Sequence, residues 1–248
     1  MPRKKVNSSR RRAETSAMAA SRRKHTRVLA FDVYGTLIDP FHMEEHLRSV
    51  FGDKAKEATD LWRSKQLEYS FRRALMKKYQ NFDTCTAQAL RYVYGQFGIP
   101  VEEETLRSSL EKYLQLPVYP DVPAALAELE AGGFHLVACS NGTETSVRAL
   151  LERAGVLSRF RSIVSVDPIR TFKPDPAVYA RLVARVRAKK EMVWLVSSNP
   201  FDVIGAKACG LRTVWVQRDP KKVFDPWEFE PDLVVANLEE LPGKLKLD

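Results

Sequence analysis

The sequence is poor in cysteine and has no long apolar run. Its three cysteines, Cys85, Cys139 and Cys209, are widely spaced and odd in number, so they form neither a disulfide framework nor a metal-ligand cluster. No apolar run approaches the roughly 18 to 20 residues that span a bilayer, and the N-terminus lacks the apolar core of a secretory signal. We therefore expect a protein of the reducing cytoplasm that does not enter a membrane.

Excess charge is also absent from most of the chain. The formal charge is +9, and residues 1–27, with ten Lys/Arg and one Glu, account for all of it, because residues 28–248 hold thirty of each sign. The core therefore gives no reason to expect a nucleic acid partner. We expect residues 1–27 to be a disordered, dispensable basic tail. A transit peptide, a weak polyanion-binding segment and a true start at Met18 are the alternatives.

Among the 248 residues, 44% are apolar and 10% aromatic, enough to build one sizeable core. Strand-like runs alternate with helical stretches that are punctuated by Asp, Thr or Asn caps, by Pro in the first turn and by Gly at the end. This alternation predicts an α/β fold with a doubly wound parallel sheet. The expected strands are Val28 to Val33, Phe134 to Cys139, Ser162 to Ser165, Met192 to Val196 and Arg212 to Val216.

One interval breaks the alternation. Residues 39–120 contain amphipathic helical sequence and no convincing strand, which predicts a helical cap inserted directly after the first strand. The core domain would then comprise residues 28–38 and 121–248. An insertion at the carboxyl end of a sheet lies over the active site, where a lid excludes water and contacts substrate.

Polar side chains follow four of the predicted strands. Asp32 follows the first, Ser140-Asn141-Gly142 the second, Lys173 the third, and the segment from Ser197 to Asp202 the fourth. Ligands of open α/β sheets bind outside the carboxyl ends of the strands, so Asp32 is a candidate nucleophile. An Asp that merely caps a turn is the alternative for this residue taken alone.

That order of residue types resembles the haloacid dehalogenase superfamily. The segment Leu61-Trp-Arg-Ser-Lys-Gln-Leu-Glu-Tyr69 is similar to the lid helix of its L-2-haloacid dehalogenases, and the resemblance covers about residues 28 to 220. It implies a Rossmann-like core, no cofactor, and often a homodimer. The implied reaction is hydrolysis of a short 2-haloacid by water, in which an L-2-haloacid gives a D-2-hydroxy acid and halide through an ester of Asp32.

Most superfamily members are magnesium-dependent phosphotransferases with the first motif D-x-D-x-T. In this chain Tyr34 replaces the second Asp, and Ser-Ser-Asn replaces Gly-Asp-Ser in the fourth motif, leaving only Asp202 as an acid there. Phosphoryl transfer relies on a metal held by carboxylates, whereas a departing halide needs no proton. The sequence therefore predicts a dehalogenase without a metal site. A phosphatase of the same superfamily is the alternative, and a binding module that uses the basic tail is a third hypothesis.

The resemblance also implies roles for individual residues. Thr36 and Ser197 resemble residues that orient Asp32. Asn199 and Asp202 resemble groups that position Lys173 and the hydrolytic water, and Tyr179 resembles a tyrosine beside the lysine. Ser140 resembles a residue that holds the substrate carboxylate, and Arg63 with Asn141 resembles the halide-receiving pair. The implied apolar wall consists of Tyr34, Leu67, Phe82 and Phe201. For Arg63 the alternative is a surface ion pair, and for Leu67 and Phe82 it is ordinary packing within the cap.

Overall fold

A six-stranded parallel sheet forms the centre of the molecule. The computed structural model describes residues 27–245, and the strands in it follow the spatial order β3-β2-β1-β4-β5-β6. Their bounds are β1 Val28–Phe31, β2 His135–Ser140, β3 Phe160–Ser165, β4 Val193–Ser197, β5 Arg212–Val216 and β6 Leu233–Val235. This is the strand order of a doubly wound sheet, so the predicted fold class is confirmed.

The two central strands are apolar on both faces. Every residue of β1 and β4 is buried, as expected where helices cover both sides of a parallel sheet. Phe31, the last residue of β1, is in register with Ala138 of β2 and with Val196 of β4. The residues that follow Phe31, Ala138 and Val196 therefore reach the same edge of the sheet.

Polar residues cap the first turns of several helices, as the sequence predicts. Asn81 and Thr143 cap two of them, accepting backbone hydrogen bonds from Thr84 and Ser146 at 2.9 and 3.2 Å. The helices are α1 Met43–Phe51, α2 Ala55–Leu75, α3 Phe82–Gln96, α4 Glu103–Tyr113, α5 Val122–Ala131, α6 Glu144–Arg153, α7 Pro176–Val186, α8 Pro200–Ala208 and α9 Leu241–Leu245.

Helices α1 to α4 lie between β1 and α5, within the predicted cap. The chain leaves the sheet and returns to it at one place, where Ile38 bridges Tyr34 in parallel and Val118 in antiparallel fashion. Met43, Leu47 and Leu90 of these helices are fully buried. The helices therefore have a packed interior, and the cap at residues 39–120 stays our prediction for this segment.

Two elements were not predicted, strand β6 and helix α9. Strand β6 has three residues, and Val234 at its centre is 41% exposed, so it carries little of the apolar signal of a buried strand. Cys85 and Cys139 are buried free thiols, and Cys209 is a partly exposed one. Within residues 27–245, no helix is long and apolar enough to cross a membrane. Except for Arg27, the predicted basic tail lies outside the described residues.

Candidate active site

Asp32 lies directly after β1, at the carboxyl edge of the sheet. Its backbone N–H continues the sheet by donating to the carbonyl of Val196 at 2.9 Å. The residue is only 6% exposed. A carboxylate buried to this degree needs hydrogen-bond donors, since burial without partners would be very costly.

Both oxygens of Asp32 have such donors. The ammonium of Lys173 donates to Oδ1 at 3.0 Å. The hydroxyl of Thr36 and the amide of Asn199 donate to Oδ2 at 2.9 and 2.8 Å. The sequence placed these four residues in three separate motifs, and the fold brings them into direct contact.

The ammonium of Lys173 makes three hydrogen bonds in this site. Besides Asp32, its Nζ donates to the Cys139 carbonyl at 2.8 Å and to Oδ2 of Asp202 at 2.7 Å, so all three N–H donors are used. Burial opposes the charge of Lys173, but the carboxylates of Asp202 and Asp32 outweigh burial and raise the pKa of the lysine. Lys173 is therefore a fixed cation shared by two buried carboxylates.

Asp202 is the second of these carboxylates and is completely buried. Tyr179 donates its phenolic proton to Asp202 Oδ1 at 2.8 Å, and burial raises the pKa of that phenol. Burial raises the pKa of Asp202 as well, although Lys173 acts in the opposite direction. Tyr179 and Asp202 therefore hold the lysine from the side away from Asp32.

The loop after β4 positions the groups around Oδ2. The Ser197 hydroxyl accepts from the backbone N–H of Asn199 at 3.1 Å, so Ser197 reaches Asp32 through Asn199. The amide of Asn199 bonds Asp32 and the carbonyl of Tyr34, at 3.1 Å to the latter, and Lys173 is not among its partners. Asn199 is thus held against the end of β1, and its role in positioning Lys173 and the hydrolytic water stays a prediction.

Ser198 is a residue of this loop that the sequence analysis missed. Its backbone N–H donates to the Thr36 hydroxyl at 2.8 Å, and its own hydroxyl donates to the Gly35 carbonyl at 2.6 Å. A side chain at Gly35 would lie 3.2 Å from the Ser198 oxygen, and Gly35 has φ +93°, so glycine is required here. The signal was present in the sequence, since Ser198 lies between two residues already selected.

Arg63 reaches the site from helix α2. Its guanidinium donates to the Tyr34 carbonyl at 3.0 Å and to Oε1 of Gln66 at 2.7 Å. Gln66, also missed, is buried and donates to the hydroxyls of Thr86 and Tyr113. Its position three residues after Arg63 on a helix was the available signal. The contacts of Arg63 are therefore directed inward, unlike those of a surface ion pair.

Two polar residues follow β2. The hydroxyl of Ser140 is buried and accepts from the backbone N–H of Gly142 at 3.0 Å. The side-chain oxygen of Asn141 accepts from the backbone N–H of Lys173 at 2.9 Å. This bond fixes the Asn141 amide, and within residues 27–245 its N–H₂ group has no hydrogen-bond partner, which leaves its donors for a ligand.

The four residues of the predicted apolar wall occupy three places. The ring of Tyr34 lies 5.4 Å from that of Phe82, and both are buried. Leu67 lines a cavity of about 630 Å³ together with Arg63 and Asn199. Phe201 packs on Phe71 and lines a second cavity of about 580 Å³ that reaches Lys173. Two cavities therefore adjoin hydrogen-bond partners of Asp32, one at Asn199 and one at Lys173.

The donor set for a metal ion is small. Asp32 and Asp202 are joined by an ammonium, and Tyr34 stands where a further carboxylate would be. Within the part of the chain that the structure describes, no three His, Cys, Asp or Glu side chains are grouped so that they could hold a metal. The residues present do not fit a carboxylate-bound magnesium ion.

Comparison with known proteins identifies the family of this chain. The model of the haloacid dehalogenase-like hydrolase family matches residues 26–210. This chain belongs to the haloacid dehalogenase-like hydrolases. Among family relatives, the (S)-2-haloacid dehalogenase of Pseudomonas sp. strain YL is 35% identical over 210 residues, covering 85% of this chain and 90% of that protein. Haloacetate dehalogenase H-2 of Moraxella sp. strain B is 35% identical over 218 residues, covering 88% and 97%.

The solved structures of the family include close matches. The L-2-haloacid dehalogenase of Xanthobacter autotrophicus, solved with chloropropionic acid covalently bound, superposes with a TM-score of 0.82 at 32% identity. The match covers 89% of this chain and 98% of that one. The haloacid dehalogenase fold therefore includes the helical segment as well as the sheet.

Proposed function

We propose that the protein hydrolyses the carbon–halogen bond of short 2-haloacids through an ester of Asp32. The observation that carries this proposal is the environment of Asp32. The carboxylate is buried and bonded on both oxygens, it is paired with Lys173, and the residue two positions later is the phenol Tyr34 instead of an acid. The covalent chloropropionic acid in the Xanthobacter autotrophicus structure supports the same chemistry.

In the first step the Asp32 carboxylate attacks C2 of the haloacid from the side opposite the halogen. A C–O bond forms as the C–halogen bond breaks, and the bonding electrons leave with the halide. Arg63 and the free amide donors of Asn141 would stabilise the charge that develops on the halogen. Arg63 is suited to this role because its bonds to Tyr34 and Gln66 are to neutral acceptors.

In the second step water attacks the ester carbonyl of Asp32. The C–O bond to the acid carbon of Asp32 breaks, which restores the carboxylate and releases a 2-hydroxy acid and a proton. Each oxygen of Asp32 already faces donors, Lys173 on one side and Thr36 with Asn199 on the other. Whichever oxygen remains as the carbonyl is therefore held by groups that stabilise the oxyanion.

The rest of the substrate is bound by groups at the neighbouring strand ends. We assign the substrate carboxylate to Ser140 and nearby backbone N–H groups. The alkyl group would contact Tyr34, Leu67, Phe82 and Phe201. Asp202 and Tyr179 act on Lys173, and Ser197 acts through Asn199. Because C2 is inverted once, an L-2-haloacid would give a D-2-hydroxy acid.

Halide release from chloro-, bromo- and fluoroacetate and from 2-chloropropionate tests the reaction class. The mechanism is tested by a single turnover in ¹⁸O-water with enzyme in excess, which should place the label in Asp32 before the product. Asp32→Asn should release no halide, and Asp53→Asn, at an exposed carboxylate, is the matched control. Label that enters the product directly, with none in the protein, would contradict the ester.

A phosphatase stays the alternative function. It predicts Mg²⁺-dependent release of phosphate from an aryl phosphate, with no halide from 2-chloropropionate. Tyr34 argues against it, because the position of the general acid for the leaving alcohol is occupied by a buried phenol whose pKa burial raises.

We propose further that the protein is a homodimer in the cytoplasm. The dimer rests on the family resemblance, and light scattering of the purified protein tests it. The cytoplasm rests on three free thiols, two of them buried. Fractionation of cells that express the full chain tests the location.

A further inference from the structure

The cavity beside Arg63 contains more charge than the proposed reaction uses. Besides Leu67, Ser198 and Asn199, it is lined by four acidic and four basic side chains. The acids are Asp39, Glu44, Asp60 and Asp219, and the bases are Lys56, Arg63, Arg218 and Lys222.

Most of these charges are already paired. Lys56 lies 2.6 Å from Asp60, and Arg218 lies 3.0 Å from Asp121. Glu44 lies 3.0 Å from Arg48. These pairs leave Arg63 and Lys222 as the cations of the cavity that lack a carboxylate within 4.0 Å among residues 27–245.

Arg63 and Lys222 both bond only neutral acceptors. The Lys222 ammonium donates to the Ser198 carbonyl at 3.3 Å, next to the residue that bonds Asp32. Burial and the charge of Arg63 together lower the pKa of Lys222, although Asp225, Asp219 and Asp32 act in the opposite direction. Arg63 and Lys222 thus place two like charges on the lining of one cavity, and an anion between them would relieve their repulsion.

The two remaining acids of the cavity are used within their own turns. Oδ1 of Asp39 accepts from the backbone N–H of Phe41 at 3.0 Å. Oδ1 of Asp219 accepts from the backbone N–H of Lys221 at 2.9 Å. Among residues 27–245, neither carboxylate lies within 4.0 Å of the Arg63 guanidinium or the Lys222 ammonium, so neither forms an ion pair with these cations.

We infer that Lys222 and Arg63 form a small-anion site in this cavity, which is also lined by Asn199, a hydrogen-bond partner of Asp32. This inference rests on the proposed function for its ligand, which is a monovalent anion, either the carboxylate of an incoming 2-haloacid or a departing halide. Lys222 is a positioning residue in this scheme, because it attracts the anion without touching the reacting carbon. The reaction as proposed above does not include it.

The test measures binding without turnover. Sodium propionate and sodium bromide are titrated separately into the full-length protein at low salt, with calorimetry as the readout. Lys222→Met should raise both dissociation constants about fivefold, the upper range for a partly exposed charge pair. Lys222→Arg should keep the affinities, and Lys221→Met, at the exposed neighbour, should leave them unchanged.

The two titrations separate the two sources of the anion. An effect on propionate alone assigns the site to the entering carboxylate, and an effect on bromide alone assigns it to the halide. Equal affinities of wild type and Lys222→Met for both anions would overturn the inference, even in an enzyme that releases halide normally. Binding that depends on Lys222 in a protein that releases no halide would overturn the proposed function and leave the anion site standing.

Discussion

Replacing Lys173 by methionine should destabilise the fold and do so in a pH-dependent way. Lys173 is 1% exposed, and its ammonium bonds Asp32 and Asp202, which are 6% and 0% exposed. Its removal leaves two buried carboxylates without their shared cation. Breaking a buried ion pair by removing one partner costs about 3–5 kcal/mol. For a chain of this size that cost lowers Tm by about 6–20 °C.

The pH dependence follows from the direction of the Asp202 pKa. Burial already raises it in the native protein, and Lys173 is the main group that lowers it. In Lys173→Met the pKa rises further. A carboxyl group whose pKa is raised in the folded state is neutral in acid. As the pH rises toward that raised value, the group ionises more readily in the unfolded state than in the buried site, so the fold is increasingly destabilised. The loss of stability of Lys173→Met relative to wild type should therefore be small at pH 5 and larger at pH 8.

Thermal unfolding of a double-mutant cycle measures this effect. Lys173→Met, Asp202→Asn and the double variant are compared with wild type at pH 5 and pH 8. The double variant should be more stable than Lys173→Met at pH 8, because it no longer contains the unpaired Asp202 carboxylate. An equal loss of stability in Lys173→Met at both pH values, with no recovery in the double variant, would refute the account of Lys173 as a cation shared by two buried carboxylates.

Substitutions of Gln66, Gly205 and Tyr34 test packing around the site, with Gln66→Glu and Gly95→Ala for comparison. Gln66→Leu should lower kcat/KM about tenfold in steady-state kinetics, because Arg63 loses the acceptor that holds it in place. Gln66→Glu should have a smaller effect, since it keeps an acceptor for Arg63. Gly205→Ala should lower Tm, because its Cβ would lie 2.6 Å from the Tyr179 hydroxyl. Gly95→Ala places its Cβ in open space on helix α3, so it should raise the free energy of unfolding in urea by about 0.5–1 kcal/mol. Tyr34→Phe should not lower the free energy of unfolding, because the buried Tyr34 hydroxyl has no partner among the described residues.

The composition of the site could be predicted from the sequence because it depends on strand ends. Asp32, Lys173 and Asp202 each come after a predicted strand, and parallel strands bring such positions to one edge. The individual bonds could not be predicted in the same way. Asn199, Ser198 and Ser197 are adjacent small polar residues on one loop, and which of them reaches Asp32 depends on backbone angles that their residue types do not specify. The amide of Asn199 reaches it, whereas Ser197 bonds the Asn199 backbone.

The same limit applies to the contacts between distant segments. Gln66 lies in a segment already singled out, but its partners Thr86 and Tyr113 are 20 and 47 residues away along the chain. Lys222 follows the last predicted strand in a loop without regular structure, where no periodicity indicates a direction. Sequence reasoning works where a repeating element fixes which way a side chain points. It fails where a single long-range contact decides the position.

Tyr34 contacts the helical segment with its side chain and the site with its backbone. Its side chain stacks on Tyr113 of the helical segment, with ring centres 5.6 Å apart. Its backbone carbonyl accepts from Arg63 at 3.0 Å and from Asn199 at 3.1 Å. An acid at this position could supply a proton to a leaving alcohol, but it would place a third carboxylate beside Asp32 and Asp202. With a phenol instead, no third carboxylate repels the Asp32 carboxylate, and Lys173 pairs with the two carboxylates that are present.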